Sequence, residues 1–229
     1  MGYQENKIYV SYIDAKPFIN EADVLLFRGS SWASYFISRA SKSSYTHVGL
    51  ASWVYEDNTA EGILECVEFK EGGPVASLFN KNAGGGGRAV NLWRQVEENP
   101  GKIDVYRPVT FCSEWKLNVE TLEPTLERRE INSRTVTKTM RKMTGLPYGW
   151  QRIWWIAKHN LAFFRLFMDT ESLQLDTVSE IVYPVCSTAV SYSFNSNGYD
   201  LTKNKSDDWT EPGDIAQSPR LSYLFTLDP

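Results

Sequence analysis

The segment YPVCSTAVSYSFNSNGYDL, residues 183–201, places the strongest local constraint on the fold. Pro184 disfavours a helix that continues from the preceding residues, and Asn197-Gly198 supplies a helix stop. Between these signals, apolar or small residues recur at a spacing that fits one buried helical face. The pattern predicts a short helix packed on the rest of the domain, with Cys186 in its first turn.

A cysteine at the start of a helix is either a buried structural residue or a nucleophile. The unpaired amide groups and the positive end of the helix macrodipole favour a thiolate at that place. Cys186 is therefore a candidate nucleophile. The chain has three cysteines without a framework spacing, which indicates a reducing compartment rather than a disulfide scaffold.

Length and composition fit one globular domain of ordinary to large size, or two small ones. Of the 229 residues, 42% are hydrophobic and 14% are aromatic, which is ample for a packed core. The net charge of −4 argues against nucleic-acid binding, because no basic surplus exists to displace counterions from phosphates. The N-terminus lacks a basic start followed by an apolar run, so we expect no secretory signal peptide and a cytoplasmic location by default.

Apolar runs along the chain predict several strands and a few helices. We expect strands at 22–27, 45–54, 63–69 and 102–109, with a short strand or extended arm at 7–12. We expect helices at 32–41 and 124–143, and a C-terminal tail that wraps the surface.

The hairpin predicted on either side of Glu56 brings a histidine near a carboxylate. If the turn centres on Glu56, Glu65 lies directly opposite His47, and directly opposed residues project from the same face of a sheet. A carboxylate there can hold one imidazole nitrogen and leave the other for chemistry. Glu68 is the competing carboxylate, but its odd offset from Glu65 puts it on the opposite face of the strand.

These residues supply the three parts of an activated thiol: a cysteine at a helix start, a histidine at a strand start and a glutamate across the hairpin. Of the two histidines, His47 is the better base, because His159 lies in an aromatic segment without a carboxylate placed by a hairpin. The amide N–H of Cys186 can donate to a developing oxyanion. We therefore predict a Cys186–His47–Glu65 triad that uses no cofactor and no metal.

Two further segments leave alternatives open. Residues 82–87 contain four successive glycines and predict a mobile loop or lid rather than a phosphate cradle, because no GK[ST] follows them. Residues 150–168 are rich in Trp and Phe, which fits a helix buried across the core, a cover for an apolar groove or an interfacial membrane helix.

An ordered set of motifs resembles a known family. The motifs are ADVLLFRG, SYTHVGL, ILECVEF with EGGPVASL after it, KIDVYRPV, GLPYGW, VCSTAV and EPGDIAQSP. In this order they resemble the permuted, YiiX-like branch of the NlpC/p60 papain-like superfamily, in which the histidine precedes the cysteine. By this resemblance His47, Glu65 and Cys186 take the triad positions, and Tyr148 borders the active-site cleft; a core tyrosine is the alternative for Tyr148. We expect Tyr148 and Ser187 to bind substrate.

The resemblance also implies a fold. It implies one α+β domain over residues 1–229 with the circularly permuted papain-like NlpC/p60 fold, in which the nucleophile helix packs against an antiparallel central sheet. Residues 1–20 would form an N-terminal arm, and residues 149–182 an aromatic-rich insertion.

The activity that the resemblance implies is cysteine hydrolysis. The substrate would be an amide bond in a peptide or in peptidoglycan, cleaved through an acyl-enzyme. One alternative is a thioesterase or lipid acyltransferase, with peripheral membrane or lipid contact through the aromatic segment; another is an inactive binding or structural module. Without a signal peptide, access to a cell wall would require a phage particle or a dedicated secretion system. The sequence does not indicate an oligomeric state.

Overall fold

The structure is a computed structural model that describes residues 7–29, 43–55, 62–71, 85–117, 124–149, 185–202 and 205–229. The strands are β1 (Tyr9–Ser11), β2 (Val24–Phe27), β3 (His47–Val54), β4 (Ile63–Glu71), β5 (Gly85–Asn91), β6 (Ile103–Pro108), β7 (Phe111–Leu117), β8 (Pro124–Glu130) and β9 (Leu221–Asp228). The helices are α1 (Tyr12–Ala15), α2 (Leu92–Glu98), α3 (Ser133–Lys142), α4 (Cys186–Asn195) and α5 (Pro212–Ala216). Short 3-10 turns cover Lys16–Phe18 and Asp207–Trp209.

A seven-stranded sheet in the order β1-β9-β6-β2-β3-β4-β5 forms the centre of the molecule. Its neighbouring strands are antiparallel except for β1 and β9, which are parallel. Strands β7 and β8 pair separately as a two-stranded sheet. The predicted α+β class and antiparallel central sheet are confirmed by this arrangement.

Both faces of the large sheet carry a hydrophobic core. On one face, α3 and α4 pack over β3 and β4, and α5 packs against α4, with Met140 and Phe194 among the fully buried side chains. On the other face, α1 and α2 pack through residues such as Ala15 and Leu92. Strand β2 lies between β3 and β6, and its four residues are buried, which explains its continuous apolar sequence.

Two sequence predictions about secondary structure are wrong. The expected helix at 124–143 is a strand followed by a helix: β8 pairs with β7, and Asn132 then caps α3 by accepting a hydrogen bond from Thr135 N at 3.2 Å. The expected C-terminal tail instead forms α5 and β9, and β9 lies inside the sheet between β1 and β6. Strand pairing decides both outcomes: β8 pairs with the preceding strand β7, and β9 pairs with β1 and β6, which are distant in sequence. The local pattern of a segment does not show whether it has a partner strand.

Several predicted segments lie outside the described residues. These are the helix at 32–41, the turn around Glu56, the aromatic segment 150–168 and nearly all of the predicted insertion at 149–182. Within the parts of the chain that the structure describes, no helix combines the length and the apolarity needed to cross a membrane.

Candidate active site

Helix α4 begins at Cys186, as the sequence predicts. Val185 before it is extended, with φ −99° and ψ 170°, and its carbonyl accepts the first helical hydrogen bond from Ala189 N at 2.9 Å. The helix packs against β3 and β4, and Cys186 is 5% exposed. The thiol therefore lies where the helix start meets the sheet, with the unpaired first-turn amides beside it.

His47 is the first residue of β3 and lies between a carboxylate and the thiol. Its Nε2 hydrogen bonds to Glu68 Oε2 at 2.7 Å, and the side chain of Cys186 is close enough to the ring to raise the pKa of the imidazole. Because Nε2 is occupied by Glu68, Nδ1 is the ring nitrogen left available to the thiol. Phe27, which pairs with His47 across β2 and β3, holds the imidazole in an edge-on contact with ring centroids 5.0 Å apart.

The prediction that Glu65 orients His47 is wrong. Glu65 pairs with Ser52, five residues beyond His47, so the hairpin is not centred on Glu56 as predicted. An odd shift in register moves a side chain to the opposite face of a sheet. Glu65 accordingly points away from His47 and forms an ion pair with Arg141, whose Nη2 lies 2.6 Å from Glu65 Oε2.

Glu68 reaches His47 diagonally across Gly49. In the β3–β4 register, Glu68 lies directly opposite Gly49, and His47 lies two residues from Gly49 on the same face. A Cβ at Gly49 would lie 2.7 Å from Cys66 Sγ and 3.3 Å from Glu68 Cβ. The glycine of the His47-Val48-Gly49 motif is therefore what leaves room for the carboxylate to cross to the histidine.

Sequence reasoning missed Arg88, which contacts the other oxygen of Glu68. Arg88 is directly opposite Glu68 in the β4–β5 register, and its Nε and Nη2 donate to Glu68 Oε1 at 2.8 and 2.5 Å. Glu68 is fully buried, whereas Arg88 is 39% exposed. One sequence signal could have indicated the strand that carries Arg88: polar and apolar residues alternate again after the glycine run. The glycine run itself favours a loop.

The glycine run is a strand rather than the predicted mobile loop or lid. Gly85, Gly86 and Gly87 open β5 and pair with the end of β4. A Cβ at Gly86 would lie 2.3 Å from Leu146 O. Glycine is required here because the neighbouring backbone approaches so closely. Residues 82–84 lie outside the described residues.

The neighbouring groups at the site favour the charged forms of Glu68 and His47. Burial raises the pKa of Glu68, but hydrogen bonds and charge from His47 and Arg88 outweigh it and lower this pKa from 4.5 to about 2. Burial lowers the pKa of His47, yet the nearby side chain of Cys186, together with the hydrogen bond to Glu68 and its charge, raises it from 6.5 to about 10. At neutral pH the site therefore contains a carboxylate paired with an imidazolium.

Cys66 is close to this network but is chemically different from Cys186. It is fully buried on β4, and its Sγ lies 3.9 Å from Glu68 Oε2. Burial and the charge of Glu68 raise the pKa of the Cys66 thiol well above its ordinary value. Cys66 therefore stays protonated at neutral pH.

The two residues predicted to contact substrate are Tyr148 and Ser187. Tyr148 is 9% exposed and belongs to the same hydrophobic cluster as Cys186. Ser187 follows Cys186 in the first turn of α4 and is 3% exposed. Their contact with substrate stays a prediction.

A solved structure with a similar fold is that of the metalloprotein yiiX from Escherichia coli O157:H7. The two chains superpose with a TM-score of 0.51 over 92% of this chain and 99% of yiiX. The chain has a yiiX-like fold. The sequence identity is 15%, so the similarity establishes the fold and not the chemistry. No family model matches the chain, and no curated protein matches it.

The description of yiiX as a metalloprotein raises the question of whether this chain offers metal ligands. Among the residues that the structure describes, no group of three or more His, Cys, Asp or Glu side chains is arranged to hold a metal ion. Both oxygens of Glu68 and one nitrogen of His47 are already engaged in hydrogen bonds within the site. The described residues do not fit a metal site.

Proposed function

We propose that the protein is a cysteine hydrolase that cleaves an amide bond in a peptide or in peptidoglycan. The observation that supports this proposal best is the hydrogen bond between His47 and the buried Glu68, with Cys186 beside His47 at a helix start. Assignment to the permuted branch of the NlpC/p60 superfamily is part of the proposal, and the order of His47 before Cys186 supports it.

In the first half of the reaction, the Cys186 thiolate attacks the carbonyl carbon of the scissile amide. The resulting oxyanion accepts hydrogen bonds at the helix start, where the first-turn amides have no intrahelical acceptor. His47 then donates its Nδ1 proton to the amine nitrogen as the carbon–nitrogen bond breaks. The products of this step are a free amine and a thioester on Cys186.

In the second half, water replaces the amine. Neutral His47 accepts a proton from water at Nδ1 as the oxygen attacks the thioester carbonyl. The carbon–sulfur bond breaks, the carboxylic acid product leaves, and Cys186 returns as a thiolate beside an imidazolium. Throughout, Glu68 accepts a hydrogen bond from Nε2, which fixes the tautomer that presents Nδ1 to the sulfur.

A turnover assay with matched variants tests this proposal. Purified protein is incubated with peptidoglycan fragments, with amide-linked peptides and with a long-chain acyl thioester, and the products are identified by mass. We expect amine release from an amide substrate that is abolished in Cys186→Ala and His47→Ala. Tyr9→Ala serves as a control, because Tyr9 is an exposed aromatic residue of the edge strand β1.

The same assay separates the alternatives. Turnover of the acyl thioester without turnover of any amide would favour a thioesterase or acyltransferase, and residues 150–168, on which that alternative rests, lie outside the described residues. Substrate binding without turnover, unchanged in Cys186→Ala, would favour an inactive binding module.

A further inference from the structure

Arg88 on strand β5 forms an ion pair with Glu68, the carboxylate that is hydrogen bonded to His47. The two oxygens of Glu68 have separate partners: Oε2 binds His47 Nε2 at 2.7 Å, and Oε1 accepts from Arg88 Nε at 2.8 Å and from Arg88 Nη2 at 2.5 Å. A carboxylate bound only through Oε2 is able to rotate about its last torsion, which is broad and shallow. Two donors from one planar guanidinium remove that freedom.

We propose that Arg88 is a positioning residue that holds Glu68 in the orientation in which His47 presents Nδ1 to Cys186. This inference rests on the proposed function, since it assigns a role within the same hydrolytic site. Arg88 contacts neither the thiol nor the imidazole in any described hydrogen bond, so its effect passes through Glu68.

The electrostatic surroundings of Glu68 make Arg88 difficult to replace. The groups that face the buried carboxylate are His47 on β3, Arg88 on β5 and the thiol of Cys66 on its own strand; Cys186 lies beyond His47. Without Arg88, the imidazolium alone would have to compensate a fully buried negative charge. Charge from Arg88 also contributes to the lowered pKa of Glu68.

The glycines before Arg88 explain why the strand can occupy this place. Gly87 N donates to Leu146 O at 3.0 Å, and Gly145 N donates to Gly87 O at 2.8 Å. A Cβ at Gly87 would lie 2.5 Å from Met143 O, so any larger residue would push the strand away. One short strand thus positions Arg88 on Glu68 and fixes the segment that leads to Tyr148.

The pH dependence of thiol alkylation tests this role without requiring a known substrate. The second-order rate of Cys186 alkylation by iodoacetamide is measured from pH 4 to pH 9, in the wild type and in the variants Arg88→Gln and Arg88→Lys. The control variant is Arg141→Gln, which removes the other arginine–glutamate ion pair of β4, that with Glu65. Thermal unfolding of each variant is recorded in parallel.

In the wild type we expect rapid alkylation that persists below neutral pH. Arg88→Gln should lower the rate at pH 6 by about tenfold to a hundredfold, the scale of one charge-assisted hydrogen bond, and move the acid limb to higher pH. Arg88→Lys should recover part of the shift but not the full rate, because an ammonium carries the charge without the planar fork. Arg141→Gln should leave the profile unchanged whatever its effect on stability.

The alkylation profiles distinguish failure of the proposed hydrolase site from failure of the Arg88 positioning role. Wild-type alkylation that follows an ordinary thiol profile would overturn the proposed thiolate–imidazolium site and this inference with it. A wild-type profile as expected, retained in both Arg88 variants, would overturn the positioning role alone. If Arg88→Gln does not fold, the Arg88→Lys profile decides, since a wild-type rate in that variant contradicts the requirement for a forked donor.

Discussion

Replacing Glu68 by glutamine measures how much stability the buried carboxylate provides. The substitution keeps the size of the side chain but removes the charge that faces His47 and Arg88. The pKa of Glu68 is lowered from 4.5 to about 2 by these partners. At about 1.4 kcal/mol per pKa unit, this difference corresponds to about 3 kcal/mol of unfolding free energy at neutral pH.

The sign of the pH dependence follows from the lowered pKa. A carboxylate that is more acidic in the folded state contributes its full stability above the unfolded value of 4.5, and the contribution is lost as the pH falls toward 2. Urea unfolding at pH 7 and at pH 3, followed by far-ultraviolet circular dichroism, measures this loss. The wild type should lose stability over this range by substantially more than Glu68→Gln, in which the titrating group is absent.

Glu65→Gln is the matched control, because Glu65 lies on the same strand and also pairs with an arginine. The Arg141–Glu65 pair is partly exposed, at 32% and 23%, so its removal should cost no more than about 1 kcal/mol. Equal stability losses in the two variants, or a Glu68→Gln variant as stable as the wild type at pH 7, would refute the electrostatic reasoning.

Three further predictions concern the same site. Gly49→Ala should slow thiol alkylation and should lower the free energy of unfolding, measured in urea, by about 1–3 kcal/mol, because the new methyl group would overlap Cys66 Sγ. Wild-type values for both the alkylation rate and the stability would contradict the crossing of Glu68 over Gly49. Iodoacetamide should label Cys186 and leave the buried Cys66 unmodified at pH 7 in peptide maps, and preferential labelling of Cys66 would count against the assignment. Since the pKa of His47 is raised from 6.5 to about 10, its contribution to stability should be complete below pH 6.5 and fall as the pH rises toward 10, and a flat alkaline limb in urea titrations would be inconsistent with the ion pair.

The elements with strong local signals were predictable from sequence. Strand β2 has four buried apolar residues in a row, and α4 has a proline before it and a glycine after it, so local chemistry determines both. The proposed nucleophile and the proposed base could be selected for the same reason. Cys186 begins a recognisable helix, and His47 begins a recognisable strand.

The partner of His47 was not predictable, because strand register depends on the length of a connection that the sequence does not fix. An error of five residues in the register exchanged Glu65 for Glu68 and reversed the face of the strand. The glycine run was misread for a related reason: four glycines favour a loop by propensity, and only the close approach of Leu146 explains them as a strand. Arg88 lies on this unpredicted strand and was therefore not identified as a site residue from the sequence.

Trapping the acyl-enzyme tests the central claim most directly. Turnover of an amide substrate is quenched in acid, and the protein is digested and mapped by mass spectrometry. The account predicts the acyl half of the substrate as a thioester on Cys186 in the wild type, and no adduct in Cys186→Ala. An acyl adduct on Cys66 or Cys112, or turnover by Cys186→Ala at the wild-type rate, would contradict it.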